Sequence, residues 1–354
     1  MGIIKKIVNL AREYYKFILI TILVYGLIEI LNGTIPLVPR LLTRYYMQIL
    51  TFALINIIMT VSLNLINGFT GQFSIGHAGF MCIGAYTSAY FTTILFKAAK
   101  MAYLPQLALF IFSLIIGGLL AAMAGYLIGL PTLKLRGDYL AIVTLAFGEI
   151  VRSIIRASDE IASFLSRLGL VKFSETIGQI NGPRGLSTIP ALSQFWLVYV
   201  ICILSVIIMR NFIYSTHGRA CLSIRENEVA AEAMGIDTTR YKIIAFSLSA
   251  FFAGIGGGLF AHVLRFIHPD NFSFIKSIDY LIYLYAGGMG SISGSILAAT
   301  GLTILPEFLR VINFQQWRMV VYPLLLVVLM LRRPDGIFGN REFPFLVPKK
   351  KEVN

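Results

Sequence analysis

Nine apolar runs, at about 17–38, 45–66, 78–96, 106–130, 139–155, 195–209, 243–266, 281–305 and 319–331, recur from one end of the 354-residue chain to the other. About twenty apolar residues in a row make a helix long enough to cross a bilayer. With 57% of residues hydrophobic and only 13% charged, the chain reads as an all-α polytopic membrane protein. It is expected to form a single transmembrane domain over 1–354.

The net charge of +13 would fit a nucleic-acid partner, but the basic residues lie in the tails and at the ends of apolar runs. Lys5, Lys6, Arg12 and Lys16 precede the first run; Arg332, Arg333, Arg341 and Lys349 to Lys351 follow the last. Placed this way the charge encodes topology, with the tails 1–16 and 332–354 both on the cytoplasmic side. Nine full crossings would separate the tails, so one run must be doubled. The run 281–305 is interrupted by AGGMGSISGS at 286–295, and two half-spans there bring the count to about ten passes, some broken or re-entrant. Alternation then puts the loop 152–194 outside, although it carries Arg152, Arg156, Arg167, Lys172 and Arg184. The first run is followed by NGTIPLVPR rather than a small-residue cleavage site, and reads as a retained span. Cys82, Cys202 and Cys221 fall in two apolar runs and one polar loop, and make neither a disulfide framework nor a metal cluster.

The most polar interior segment is the loop 218–242, GRACLSIRENEVAAEAMGIDTTRYK. Ser223 and Glu226 have the spacing of a capping box, and Gly235 can take the left-handed conformation that stops a helix. The pattern predicts one helix over Ile224–Met234, with Ile224, Asn227, Ala231 and Met234 beside Ala230 on one side and Arg225, Glu228 and Glu232 on the other. Helices that rest on lipid headgroups are usually rich in Lys, Arg and bulky apolar residues. This one has four acidic residues, Glu226, Glu228, Glu232 and Asp237, and a face built mainly from alanine. It suits a protein groove and is predicted to dock a cytoplasmic partner.

Glycines and polar groups also enter the run at 67–79, NGFTGQFSIGHAG. Broken backbone at membrane depth is tolerated where protein or a water-filled cavity covers it, and in transporters such breaks often line the substrate path. Asn67, Gly71, Gln72, Ser74, Gly76, His77 and Gly79 are the candidate path residues; the plainer reading is that His77 and its neighbours satisfy freed backbone groups. Asp138 stands where an N-cap belongs, and Glu149 pairs with Arg152 three residues on. Residues 161–173 fit an amphipathic helix on the outer interface, and 181–190, NGPRGLSTIP, a turn-rich external loop. Small residues every fourth position, at Gly117, Ala121, Gly125 and Gly129, at Ala250, Gly254 and Gly258, and at Ala286, Gly290, Gly294 and Ala298, make flat faces for close helix packing.

The sequence holds no G-x-x-x-x-G-K-S/T phosphate loop, no H-E-x-x-H zinc motif and no G-x-S-x-G elbow. Neither catalysis nor a cofactor is predicted. If nucleotide powers transport, another polypeptide binds it. An ion-coupled transporter remains the other class to weigh; it would need paired ionisable groups at mid-membrane. A membrane enzyme would need convergent catalytic groups.

From about Leu50 to Phe338 the chain resembles the permease subunits of bacterial ABC importers of branched-chain amino acids, in their LivM-like branch. The resemblance is carried by NGFTGQFSIGHAGFMCIGAY at 67–86, LKLRGDYLAIVTLAFGEIVR at 133–152, NGPRGLSTIP at 181–190 and GRACLSIRENEVAAEAMGID at 218–237. It continues through HPDNFSFIKSI at 268–278, GGMGSISGS at 287–295 and RRPDGIFG at 332–339. It implies a permease half that pairs with a LivH-like subunit, two cytoplasmic ATP-binding subunits and an extracytoplasmic solute-binding protein. It also implies residence in the bacterial cytoplasmic membrane, and a coupling helix formed by Arg225 to Gly235, with Arg225, Glu226, Glu228, Ala231, Glu232 and Gly235 at the ATPase contact. The implied substrates are leucine, isoleucine and valine, with other amino acids, urea and short amides handled by relatives. LYAGG at 284–288 departs from the more aliphatic lead expected before the glycine-rich break.

Overall fold

Lipid gives helices no hydrophobic reason to associate, so a bundle in a bilayer is held by close contact at small residues and by buried hydrogen bonds. A computed structural model describes residues 19–32, 43–95, 102–133 and 137–311, with short stretches between 324 and 347. The tail 1–16 and most of the run 319–331 lie outside the described residues.

The described helices are α1 (Leu19–Leu31), α2 (Arg44–Asn64), α3 (His77–Tyr90), α4 (Tyr103–Thr132), α5 (Asp138–Arg156), α6 (Ser158–Arg167), α7 (Val171–Gly178), α8 (Phe195–Ile213), α9 (Thr216–Glu226), α10 (Glu228–Ala233), α11 (Thr238–Leu264), α12 (Phe274–Gly287) and α13 (Ile292–Val311). Five stretches among the described residues are long and apolar enough to cross a membrane: Arg44–Phe69, α4, α8, α11 and Ile292–Arg310. The most apolar 18-residue windows of α2 and α11 are 78% and 72% buried and that of α4 only 33%, so α2 and α11 are the centre and α4 an outer wall.

The glycine faces act as predicted on α4 and α11. Gly84 of α3, Gly117 of α4 and Gly254 of α11 meet backbone to backbone. A Cβ on Gly254 would lie 2.7 Å from the Ala121 Cβ and 2.9 Å from the Gly117 carbonyl oxygen. The third predicted face is different. The chain leaves the helix at Gly288 (φ 115°) and re-enters it at Ile292, so Ala286 lies on α12 while Gly294 and Ala298 lie on α13. The predicted break is real, and it divides the face. Antiparallel α2 and α13 are joined along their length by Asn56 Nδ2 to Thr303 Oγ1 (2.9 Å), Asn64 Nδ2 to Ser295 Oγ (2.9 Å) and Tyr45 OH to Glu307 (2.5 Å).

The C-terminal stretch fills this break. Ile337 N and Phe338 N donate to the carbonyls of Ala286 and Gly287 at 2.9 and 3.1 Å. The Glu342 carboxylate accepts from Ile292 N (2.5 Å), Ser293 N (3.0 Å) and the Ser293 hydroxyl. An anion there meets the free N–H groups that start α13. Arg210, buried at the end of α8, donates to the carbonyl of Leu346.

Two local expectations change and a third is met. Gly137 (φ 62°) occupies the cap of α5 and Asp138 is the helix's first residue. The segment 161–173 spans parts of two helices, because Gly169 (φ 81°) turns the chain between α6 and α7. The Glu149–Arg152 pair is present at 2.6 Å, and Arg152 extends it to Asp270 at 2.9 Å, tying α5 to the segment before α12.

Candidate functional site

The polar segment folds into two short helices rather than one. Ser215 caps α9 by accepting from Gly218 N (3.3 Å). Ser223 lies inside α9 and bonds back to the Arg219 carbonyl (3.1 Å), so the predicted capping box with Glu226 does not form. Asn227 (φ −161°, ψ 108°) breaks the helix, and its side chain caps α10 by accepting from Ala230 N at 3.0 Å. An Asn at such a break satisfies donors that an intact helix would have paired internally. Gly235 (φ 82°) ends α10 as predicted, with Ile236 N bonded to the Ala231 carbonyl at 3.1 Å.

The break divides the expected docking face, leaving Asn227, Ala230 and Met234 exposed and turning Ile224 and Ala231 inward. Ile224 and Ala231 are buried against this chain at 3% and 4% exposure, whereas Val229 and Met234 stand out at 64% and 82%. The Glu232 carboxylate accepts from the Thr238 hydroxyl (2.8 Å) at the start of α11. Glu228 pairs at 2.7 Å with Lys242, whose side chain is 2% exposed. The loop is thus pinned to α11 at two points. Arg225 donates to the Gly68 carbonyl at 2.9 Å and pairs with Glu226 at 2.8 Å. Burial pushes the Cys221 thiol of α9 up to about 12, leaving it a neutral packing group.

Arg225 carries the loop to the second predicted site. After Asn64, α2 widens into a π-helical turn over Leu65–Phe69 and then unwinds until α3 begins. Gly71 (φ 68°) lies against Arg225, where a Cβ would come within 3.0 Å of its Cγ. The Asn67 amide brackets Ser74, accepting from Ser74 N (3.3 Å) and donating to its carbonyl (3.4 Å). Gly76 and Gly79 allow α3 to lie on α5 at Thr144 and Gly148, with Ile75 N bonded to Thr144 Oγ1 at 3.1 Å. His77 is fully buried, its Nε2 2.8 Å from Ser62 Oγ and its ring edge-on to Tyr280. Among the seven candidate path residues, Gly71 is exposed and Gln72 partly so; Asn67, Ser74, Gly76, His77 and Gly79 are buried within this chain.

Residues 45–330 match the family described as "Branched-chain amino acid transport system / permease component". The chain belongs to this family. Its relatives include the high-affinity branched-chain amino acid transport system permease protein LivM of Escherichia coli (strain K12), 35% identical over 84% of this chain and 71% of the relative. LivM of Salmonella typhimurium is 33% identical over the same shares. LivH of Escherichia coli is 24% identical over 53% of this chain and 67% of its own. No solved structure matches. This is a transport permease family and not an enzyme family.

Proposed function

We propose that the chain is the LivM-like permease subunit of an ATP-binding-cassette importer that moves branched-chain amino acids inward by alternating access. It would work beside a LivH-like permease subunit, two cytoplasmic ATP-binding subunits and an extracytoplasmic solute-binding protein, surrounded by the lipid of the bacterial cytoplasmic membrane. The chain is one transmembrane domain of about ten passes and half-passes with both termini cytoplasmic. The α9–α10 loop is the coupling element, and the break at 67–79 belongs to the substrate path.

One observation carries this reading. The loop presents two bare apolar side chains outward, Val229 and Met234, while its inner face is fastened to α11 by Glu228–Lys242 and to the break by Arg225 and Gly68. A surface so fixed transmits a push. Arg225, Glu226, Glu228 and Glu232 set the loop's attachment and charge, Ala231 its inner packing and Gly235 its end.

The test is co-purification of the permease with its ATP-binding subunits in detergent. Val229→Asp and Met234→Asp place a charge at the contact and should release the ATPase while the permease elutes as a folded species. Ala231→Trp overpacks the loop's own interior and should lower permease yield itself. Retention of the ATPase by both aspartate variants would end the coupling assignment.

A further inference from the structure

Helix α12 carries two ionisable side chains on a face that is only partly buried. Its first residue is held at the Arg152–Asp270 end of the molecule, where Phe274 N donates to Glu149 at 3.2 Å. From there it runs inward and stops at Gly288, next to the Gly290–Asn64 contact. Asp279 is five residues down, about 7.5 Å from the helix start at 1.5 Å per residue. It pairs with Lys276 at 3.6 Å, and the two side chains are 32% and 26% exposed. In the topology proposed above α12 is one of the half-passes, and ionisable groups within such a segment mark a water-filled path or a protein partner.

The pair is the longest of the ion pairs among the described residues, slightly beyond Arg156–Asp270, His268–Asp270 and Glu307–Arg310 at 3.3 to 3.4 Å. Glu149–Arg152 and Glu228–Lys242 close at 2.6 and 2.7 Å. The opposite side of α12 is firmly seated: Ser277 Oγ accepts from Ala78 N at 2.9 Å, and Tyr280 is fully buried with its hydroxyl on Met81 Sδ at 3.2 Å. Lys276 Nζ lies 5.5 Å from the Tyr280 ring centroid, which anchors the cation against a rigid wall. One step round the helix, Ile275 and Ile278 are 60% and 38% exposed. An acid, a base and two aliphatic side chains are therefore offered together on one half-helix.

We propose that Lys276, Asp279, Ile275 and Ile278 form a transient binding site for the zwitterion of an aliphatic α-amino acid in the translocation path, the carboxylate on Lys276 and the ammonium on Asp279. This rests on the amino-acid importer reading above. A zwitterion inserted into the pair replaces one loose contact with two opposite-charge contacts and leaves the site neutral. An amine lacking the carboxylate, or an acid lacking the ammonium, would leave a charge uncompensated in a low-dielectric region. The aliphatic side chain lies along the two isoleucines.

The experiment is leucine uptake by the full complex, with its second permease subunit, ATPases and binding protein, in proteoliposomes. Lys276→Gln and Asp279→Asn should each reduce maximal uptake roughly tenfold or more. The half-saturating concentration, set by the binding protein, should stay put, and more ATP should be hydrolysed per leucine delivered. The double exchange Lys276→Asp with Asp279→Lys restores a salt bridge but inverts the reading order. It should remain defective. Recovery by the exchange would show that the pair only braces α12 and would overturn the site, as would native-like uptake by the single variants. Should the charge variants fail to assemble, Ile278→Trp serves instead, since it crowds the aliphatic seat and leaves the pair intact. Leucine uptake should fall while alanine uptake persists, and an equal effect on both would overturn the site. A native complex that takes up no amino acid would overturn the importer reading itself and this site with it.

Discussion

At the scale of single residues, Lys242 shows how an ordinary-looking charge becomes structural. Its side chain is 2% exposed, and its ion-pair partner is Glu228, 2.7 Å away. Removing one member of a fully buried pair costs about 3 kcal/mol, and less is expected here because the Glu228 left behind is 24% exposed. Lys242→Met should therefore lower the thermal unfolding temperature of the permease in detergent, and Glu228→Gln combined with it should recover part of the loss. An additive double variant, with no recovery, would show that the pair is not coupled. The sequence makes both residues visible, but not their pairing: they are fourteen positions apart, and only the turn at Gly235 brings α10 back along the start of α11. Glu149 and Arg152 are legible because a helix places positions three apart on one side.

Among elements, the segment 218–242 shows what happens when caps compete. Ser223 with Glu226 and Asn227 alone are both acceptable helix starts, and local pattern does not choose between them. The choice lies with Asn227, whose extended backbone ends α9 and whose side chain caps α10, while Ile224 and Ala231 on either side of it are both buried against the chain. In the broken segment Ala231 is turned inward, while Ala230 and Ala233 stay exposed beside Val229 and Met234. The C-terminal stretch is illegible for a related reason, since its groups act on a helix fifty residues away. Glu342 caps α13 from outside, accepting from Ile292 N and Ser293 N. Glu342→Ala removes a charged cap, an effect of about 1 to 2 kcal/mol, and should free the end of the chain from the α12–α13 break. Limited proteolysis checks this, with faster cleavage after Arg333 or Arg341 in the variant than in the native chain. Glu342→Gln, which keeps an acceptor, should fall between them.

For the whole molecule, the importer reading proposed above requires that a push at the α9–α10 loop reach the break at 67–79, and the glycine contacts offer it a route. Glycine spacing on α4 and α11 is readable in the sequence, because small residues every fourth position leave a flat strip; that α3 enters the same contact through Gly84 is not, since no repeat marks it. Helix α11 carries the α9–α10 loop at one end, through Lys242 and Thr238, and lies on α3 and α4 further along at Gly254. Because α3 begins at the break that Arg225 also touches through Gly68, α11 and the loop act on the same segment from two directions. Rigid transmission needs the helices in backbone contact. A methyl group at Gly254 would meet the Ala121 Cβ at 2.7 Å and the Gly117 oxygen at 2.9 Å, both on α4, and neither can yield as a flexible side-chain tip would. Gly254→Ala should prise α11 from α4 while leaving the α9–α10 surface untouched. In the assembled importer the expected result is ATPase that still co-purifies, ATP hydrolysis no longer stimulated by the loaded binding protein, and leucine uptake reduced to a small fraction of native. Unchanged uptake in a folded variant would mean that force does not pass through this contact, and the lever would have to be sought along α8 and α9 instead.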